Sequence, residues 1–180
     1  VNSLVDRIVS EPIEPAGAVA EPYGLWAIEA QDGLIAPCEH PAVRVVERLE
    51  PVAALKLYIL NLGHTILADA WLRGGVPPTV REAMQAAPGR TMCETLVEEV
   101  LPGFAAAGMG GEARTYLSTT LERFGNPFLN HQLADIAQNH EQKVERRVRA
   151  FLDWARRAGD AGPKPRLQGV LERSSTRVLS

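Results

Sequence analysis

Between Pro51 and the Gly74-Gly75 pair lies the stretch that most constrains what this chain can fold into. Apolar residues recur there at Leu55, Ile59, Leu60, Ile66, Leu67 and Trp71, the repeat of a helix and not of a strand. A proline suits the first helical turn, where its missing amide hydrogen costs nothing, and a glycine pair suits a stop. The spacing predicts one long, mostly buried helix. Such a helix needs partners on several sides, so it forces a core around itself. With 180 residues, 46% of them hydrophobic, the chain holds enough material for one such core in one domain.

The flanking segments carry the same texture. Thr79 with Glu82 three residues later is a capping box for a short helix reaching residue 87. Thr91 and Glu94 repeat that signature before Leu96, Val97, Val100 and Leu101, with Pro102-Gly103 placed to kink or divide the helix. Gly110-Gly111 marks a loop before a helix through Leu117 and Leu121 to Phe124, which Gly125-Asn126-Pro127 breaks. Residues 129–137 lead into a strongly charged helix ending near Arg157. Six prolines between Pro12 and Pro51 make the N-terminal segment irregular, and residues 23–29 are its best strand candidate, before an Asp32-Gly33 turn. Residues 159–165 read as a proline-broken linker, and 167–180 as a short helix or a frayed tail. The expected fold class is mainly α: a multi-helix domain over residues 1–158, with at most a short strand or hairpin, followed by a linker and tail over 159–180.

Several function classes fall away. A net charge of -3 leaves no global basic footprint, so no nucleic-acid partner is expected. Cys38 and Cys93 form no C-x-x-C pair, and two separate buried thiols in a reducing, cytoplasmic setting are expected. No uninterrupted apolar run reaches the length of about 18 residues that a membrane span needs. The start, Val1-Asn2-Ser3-Leu4, has neither a signal-peptide pattern nor an initiator Met, and reads as a fragment or a processed chain. The four histidines, His40, His64, His131 and His140, show no i,i+3 or i,i+4 pairing, so no local metal site is expected. Residues 108–113, Gly-Met-Gly-Gly-Glu-Ala, formally match a dinucleotide fingerprint, but no strand precedes them.

Two constellations remain. The long helix carries Lys56, Asn61 and His64 among apolar neighbours. At about 100° per residue, Asn61 lies about 140° and His64 about 80° from Lys56, so all three can face one concave site. Two arrangements stand. Asn61 and His64 bond each other or a carbonyl while Lys56 reaches solvent, or the three converge on a ligand. The chemistry of the second is proton transfer, with lysine as base and Asn and His as donors to an oxygen. Gly63, about 1 kcal/mol worse than Ala inside a helix, points to close approach of a ligand or another backbone. The second constellation is Arg123-Phe124-Gly125-Asn126-Pro127, followed by His131 and a charged helix. Its charges form a solvated face, but Asn139, Lys143 and Arg146 fall together and could meet an anion.

These residues resemble a known family. The pattern Lys56-x4-Asn61-x2-His64 is similar to the K-x4-N-x2-H signature of the mannitol dehydrogenase family of polyol-specific long-chain dehydrogenases, which includes fructuronate and tagaturonate reductases. Asn2-Ser3-Leu4-Val5-Asp6-Arg7-Ile8 resembles its N-S-M-V-D-R-I segment, Trp26-Ala27-Ile28-Glu29 its W-V-I-E strand, and Arg123-Phe124-x-Asn126-Pro127 its R-F-x-N-P turn. The resemblance implies the C-terminal, substrate-binding half of a dehydrogenase. NAD or NADP would be bound mainly by an N-terminal Rossmann-type domain joined at residues 1–10. Lys56 would be general base in alcohol oxidation and acid in ketone reduction. Asn61 and His64 would hold the reacting oxygen, and Asp6 would contact substrate. Zinc is not required in that family. The short segment between Val9 and Pro22, the Asn-Pro-Phe-Leu-Asn-His run and Asn139-x3-Lys143 lean to the hexuronate reductase branch. The expected substrate is a sugar alcohol or sugar acid, with Lys143 first and Arg146 second as partners for a carboxylate. The chain alone is expected to be inactive. The competing expectation is a non-catalytic helical interaction module that keeps the fold.

Overall fold

In the computed structural model, which describes residues 2–177, helix α1 (Glu50–Leu72) forms where the apolar period places it. Pro51 occupies its first turn. Beyond its end, Gly74 and Gly75 adopt φ 89° and 76°, a region glycine enters without a Cβ clash. The helix is not wound evenly. The Leu62 amide reaches back five residues to the Leu57 carbonyl, so Lys56–Asn61 is a π-turn between two α-helical stretches. By length and mean hydropathy (1.3) α1 could cross a bilayer, which the sequence pattern did not suggest. However, 61% of its most apolar window is buried inside the protein, and it serves as the core helix.

The other helices wrap α1. The Thr79 capping box forms as expected at the start of α2 (Val80–Met84). The second box does not form. Helix α3 (Ala87–Thr95) starts four residues earlier with Pro88 in its first turn, and Thr91 lies inside it, its carbonyl accepting from Thr95 Oγ1 at 2.7 Å. Proline set that start more strongly than a threonine four residues on. Helix α3 passes through a π-turn, Leu96–Val100, into α4 (Leu101–Ala106), whose first turn holds Pro102. The expected division therefore falls just before the proline. Helix α5 (Gly110–Phe124) begins at the glycine pair itself and stops before Gly125. After the short α6 (Leu133–Ile136), Asn139 turns left-handed (φ 54°). The charged helix then runs as α7 (His140–Val144), a third π-turn (Glu145–Arg149) and α8 (Ala150–Arg157).

The segment expected as linker and tail contributes to the core. Helix α9 (Pro165–Arg177) buries Leu167 and Val170, and before it Lys164 Nζ meets Asp160 Oδ2 at 2.6 Å in a buried ion pair. Val1 and residues 178–180, which carry the expected chain start and the end of the tail, lie outside the described residues.

The N-terminal segment pairs more extensively than a single hairpin. Strand β4 (Leu25–Glu29) is flanked by β1 (Ser3–Asp6), antiparallel, and β5 (Val43–Val46), parallel, while β2 (Val9–Ile13) and β3 (Gly17–Ala20) form a separate hairpin. These strands join residues distant in sequence, such as Val5 with Trp26 and Trp26 with Val43, and local periodicity does not register such pairs. Cys38 and Cys93 are both free, and Cys38 is exposed, not buried as expected: it sits on the irregular stretch between β4 and β5.

Candidate active site

A cleft of about 290 Å³ opens where α1, the α7–α8 helix and the segment after β1 meet. Lys56, Asn61 and His64 all line it. The π-turn explains the convergence. Closing its ring on the fifth residue, it winds less per residue than an α-helix and lays residues five apart, Lys56 and Asn61, over one another. The α-helical spacing left them about 140° apart. Lys56 Nζ is steadied by the Val5 carbonyl of β1 at 2.5 Å.

His64 is buried, its ring stacked on Phe124 at 4.3 Å and edge-on to His131 at 4.7 Å. Burial, then the nearby His131, Arg147, Arg123 and Lys143, push its pKa well below the ordinary histidine range, so the ring is neutral at pH 7. Its Nε2 is buried without a hydrogen-bond partner, an unusual state for a buried polar atom. Gly63 explains the stacking. A Cβ there would meet Phe124 at 3.2 Å and Met92 at 3.4 Å, so the close approach inferred from the glycine is core side chains, not a ligand.

The opposite wall is cationic. Lys143 and Arg147 line the cleft with Arg7 and His131, and Asp135 is the acid among the lining residues. Lys143 Nζ donates to the Ile136 carbonyl at 2.7 Å, and burial, then Arg147, lowers its pKa. Burial lowers that of His131, with Asp135 opposing it.

Three of the expected substrate-binding residues lie off this wall. Arg146 is exposed and off the cleft, whereas Arg147, four residues after Lys143 and so on its helix face, lines the cleft with it. Asn139 is not in the helix at all. It is the left-handed residue before it, and lines a separate cavity beside Leu72 and His140. His140 is buried with Nε2 3.6 Å from Asp69 Oδ1. Asp6 is buried one layer behind the cleft, bound to Arg123 Nη2 at 2.9 Å and to the Tyr116 hydroxyl at 2.5 Å. The same guanidinium holds Glu21 at 2.7 Å, so the Arg123-Phe124 pair is structural: the arginine joins the strands to α5 and the phenylalanine backs His64. Sequence reasoning left His131 without a role and placed Arg147 on the solvated face. The signal for Arg147 was its position four residues after Lys143.

The fold is a helical domain with a polar, cation-lined cleft beside its apolar core helix, and it has no βαβ unit among the described residues. Residues 48–165 match the model of the mannitol dehydrogenase C-terminal domain, and the chain belongs to that family. It is 33% identical over 178 residues to an altronate oxidoreductase of Bacillus subtilis, covering 88% of this chain and 36% of that protein. It is 30% identical over 150 residues to a mannitol-1-phosphate 5-dehydrogenase of Geobacillus thermodenitrificans, covering 80% and 38%. The chain thus spans a little over a third of the length of these curated relatives. The Pseudomonas fluorescens mannitol 2-dehydrogenase, solved as a ternary complex with NAD and D-mannitol, superposes with a TM-score of 0.74 at 20% identity over 94% of this chain and 37% of that one. At that identity the likeness is one of fold.

Proposed function

We propose that this chain is the substrate-binding and catalytic domain of a longer NAD(P)-dependent oxidoreductase that interconverts a secondary alcohol of a sugar alcohol or sugar acid with its ketone. One observation carries the reading: Lys56, Asn61 and buried, neutral His64 line one cleft whose facing wall is cationic. Two features support a cofactor held mainly by another domain. Residues 108–113 run from the turn after α4 into the first turn of α5 with no strand before them, and the parallel pair β4–β5 is joined without a helix. A nicotinamide held by another domain would supply or take the hydride.

This chain's own groups would do the rest. Asn61 and neutral His64 hold the substrate oxygen. Lys56 Nζ takes the hydroxyl proton during oxidation and returns it during reduction. Oxidation needs the free amine of Lys56 and reduction needs its ammonium. Lys143 and Arg147 would face an acidic end of the substrate, which favours a sugar acid.

The test is kinetic, in the longer protein. Lys56→Ala should lower turnover by about 10²–10⁴-fold with a smaller change in substrate KM, and should flatten the pH profile. Unchanged turnover and profile would refute the assignment. Lys143→Met should raise KM for an acid substrate about tenfold or more, as for a lost charge-assisted bond, and leave KM for a neutral polyol near its original value. Equal effects on both would remove the sugar-acid preference. The 180-residue chain alone should bind neither NADH nor NADPH at micromolar concentration in a calorimetric titration.

A further inference from the structure

We infer that Arg147 is a positioning residue whose guanidinium clamps the π-turn Lys56–Asn61 in the winding that sets Lys56, Asn61 and His64 on one wall. What those three groups do rests on the function proposed above; that Arg147 holds the turn rests on the geometry alone.

A π-turn is a rare excursion from α-helical winding and needs something to hold it. The Asn61 carbonyl ends this one. It accepts from Arg147 Nη1 at 3.1 Å and from Thr65 Oγ1 at 2.9 Å, and Arg147 Nη1 also lies 3.1 Å from Thr65 Oγ1. A residue from the far end of the chain thereby bridges two positions of α1 across the end of its π-turn. Thr65 is buried, 1% exposed, so that bridge is fixed by the core.

Charge pairing does not account for Arg147's place. Among the described residues it makes no ion pair with a carboxylate, although it is largely withdrawn from water. Withdrawing a guanidinium from water without a counter-charge is unfavourable, and burial lowers its pKa accordingly. The hydrogen bonds it makes run to the Asn61 carbonyl at the end of the turn and to the Thr65 hydroxyl one helical turn further on. Arg147 is itself carried in by a second π-turn, Glu145–Arg149, which packs against the first. If the first turn relaxed to α-helical winding, Asn61 would swing back to about 140° from Lys56 and the two would no longer lie over one another. Lysine cannot replace the arginine, because one ammonium on a flexible stem lacks the planar, pre-organised fork.

Amide hydrogen exchange on this chain reads the clamp directly, at the Leu62 N–H that closes the π-ring on Leu57. Arg147→Met should speed exchange at Leu62 by about ten- to a hundredfold, the worth of hydrogen bonds to a charged group. The Leu101 N–H, which closes the π-turn over 96–100, should keep its rate, and Arg147→Lys should not restore Leu62. An unchanged Leu62, or full restoration by lysine, would overturn the clamp. If Arg147→Met fails to fold, Thr65→Val decides: it removes the shared hydroxyl with no change of charge, and Leu62 must then exchange faster with Leu101 unaltered, or the clamp is refuted. In the longer dehydrogenase Arg147→Met should lower kcat while KM for the cofactor stays put. Faster exchange at Leu62 with undiminished kcat would leave the clamp standing and refute the catalytic reading of Lys56 and Asn61.

Discussion

A histidine sealed between Phe124, His131 and a row of cations stays neutral, and the whole protein's stability carries the consequence. Burial depresses the pKa of His64 strongly and that of His131 as well. Between the unfolded histidine value of about 6.5 and the lower folded values, the unfolded chain binds more protons than the folded one. Stability therefore rises with pH in that window: it is fully present above pH 6.5 and is lost as pH falls below it. Each histidine contributes at most about 1.4 kcal/mol per pH unit. Urea unfolding between pH 7 and pH 5 should show a falling midpoint, and His64→Gln should shallow that fall. A midpoint that rises towards pH 5, or a slope the variant leaves untouched, would contradict the neutral, buried imidazole. The same neutrality suits His64 to its proposed task, since a neutral ring can present one nitrogen as donor to a substrate oxygen.

Among the elements, α9 shows how a helix start is anchored from a distance. Pro165 has no amide hydrogen, so the first free donors belong to Arg166 and Leu167, and the buried carboxylate of Glu99 accepts both, at 2.9 and 3.0 Å. Glu99 thus caps α9 from the π-turn over 96–100, where its charge also complements the positive end of the helix dipole. Glu99→Gln keeps the size but turns an NH2 towards one of the amides. It should cost about 1–2 kcal/mol, seen as a lower melting temperature together with faster amide exchange over 165–172. A loss of stability with α9 exchange unchanged would place the effect elsewhere. Each of the three π-turns joins two α-helical stretches end to end, and local apolar spacing announces none of them.

For the molecule as a whole, one buried ion cluster joins the strands to the helical body. Arg123 on α5 binds Asp6 of β1 and Glu21 just after β3, and Tyr23 lies over its guanidinium at 4.1 Å. Burial works against the charge on Arg123, but Asp6 and Glu21 outweigh it and raise its pKa. Removing the arginine would leave two carboxylates buried without a cation, so Arg123→Met should destabilise the protein by about 3–5 kcal/mol. Arg123→Lys should recover little of that, because one ammonium cannot serve both carboxylates in the forked geometry. Denaturant unfolding measures both, and a loss below about 1 kcal/mol for Arg123→Met would mean the cluster joins the parts only weakly.

The sequence by itself determined the elements whose cause is local. The α1 period, the Thr79 capping box and the break after Phe124 follow from side-chain spacing and turn chemistry, and so did the family, from four short motifs. It also singled out Lys56, Asn61, His64 and Lys143, polar groups on otherwise apolar or patterned faces. Only the tertiary structure decided the rest. That Lys143 and Arg147 face a cleft and not solvent depends on how the α7–α8 helix packs against α1, which no local periodicity announces. That Asp6 is spent on Arg123, 117 residues away, and that residues 165–177 pack into the core, depends on long-range partners. A side chain's type states what it can bond, but its partner is chosen only when distant segments are brought together and each buried polar group must be satisfied where it lies.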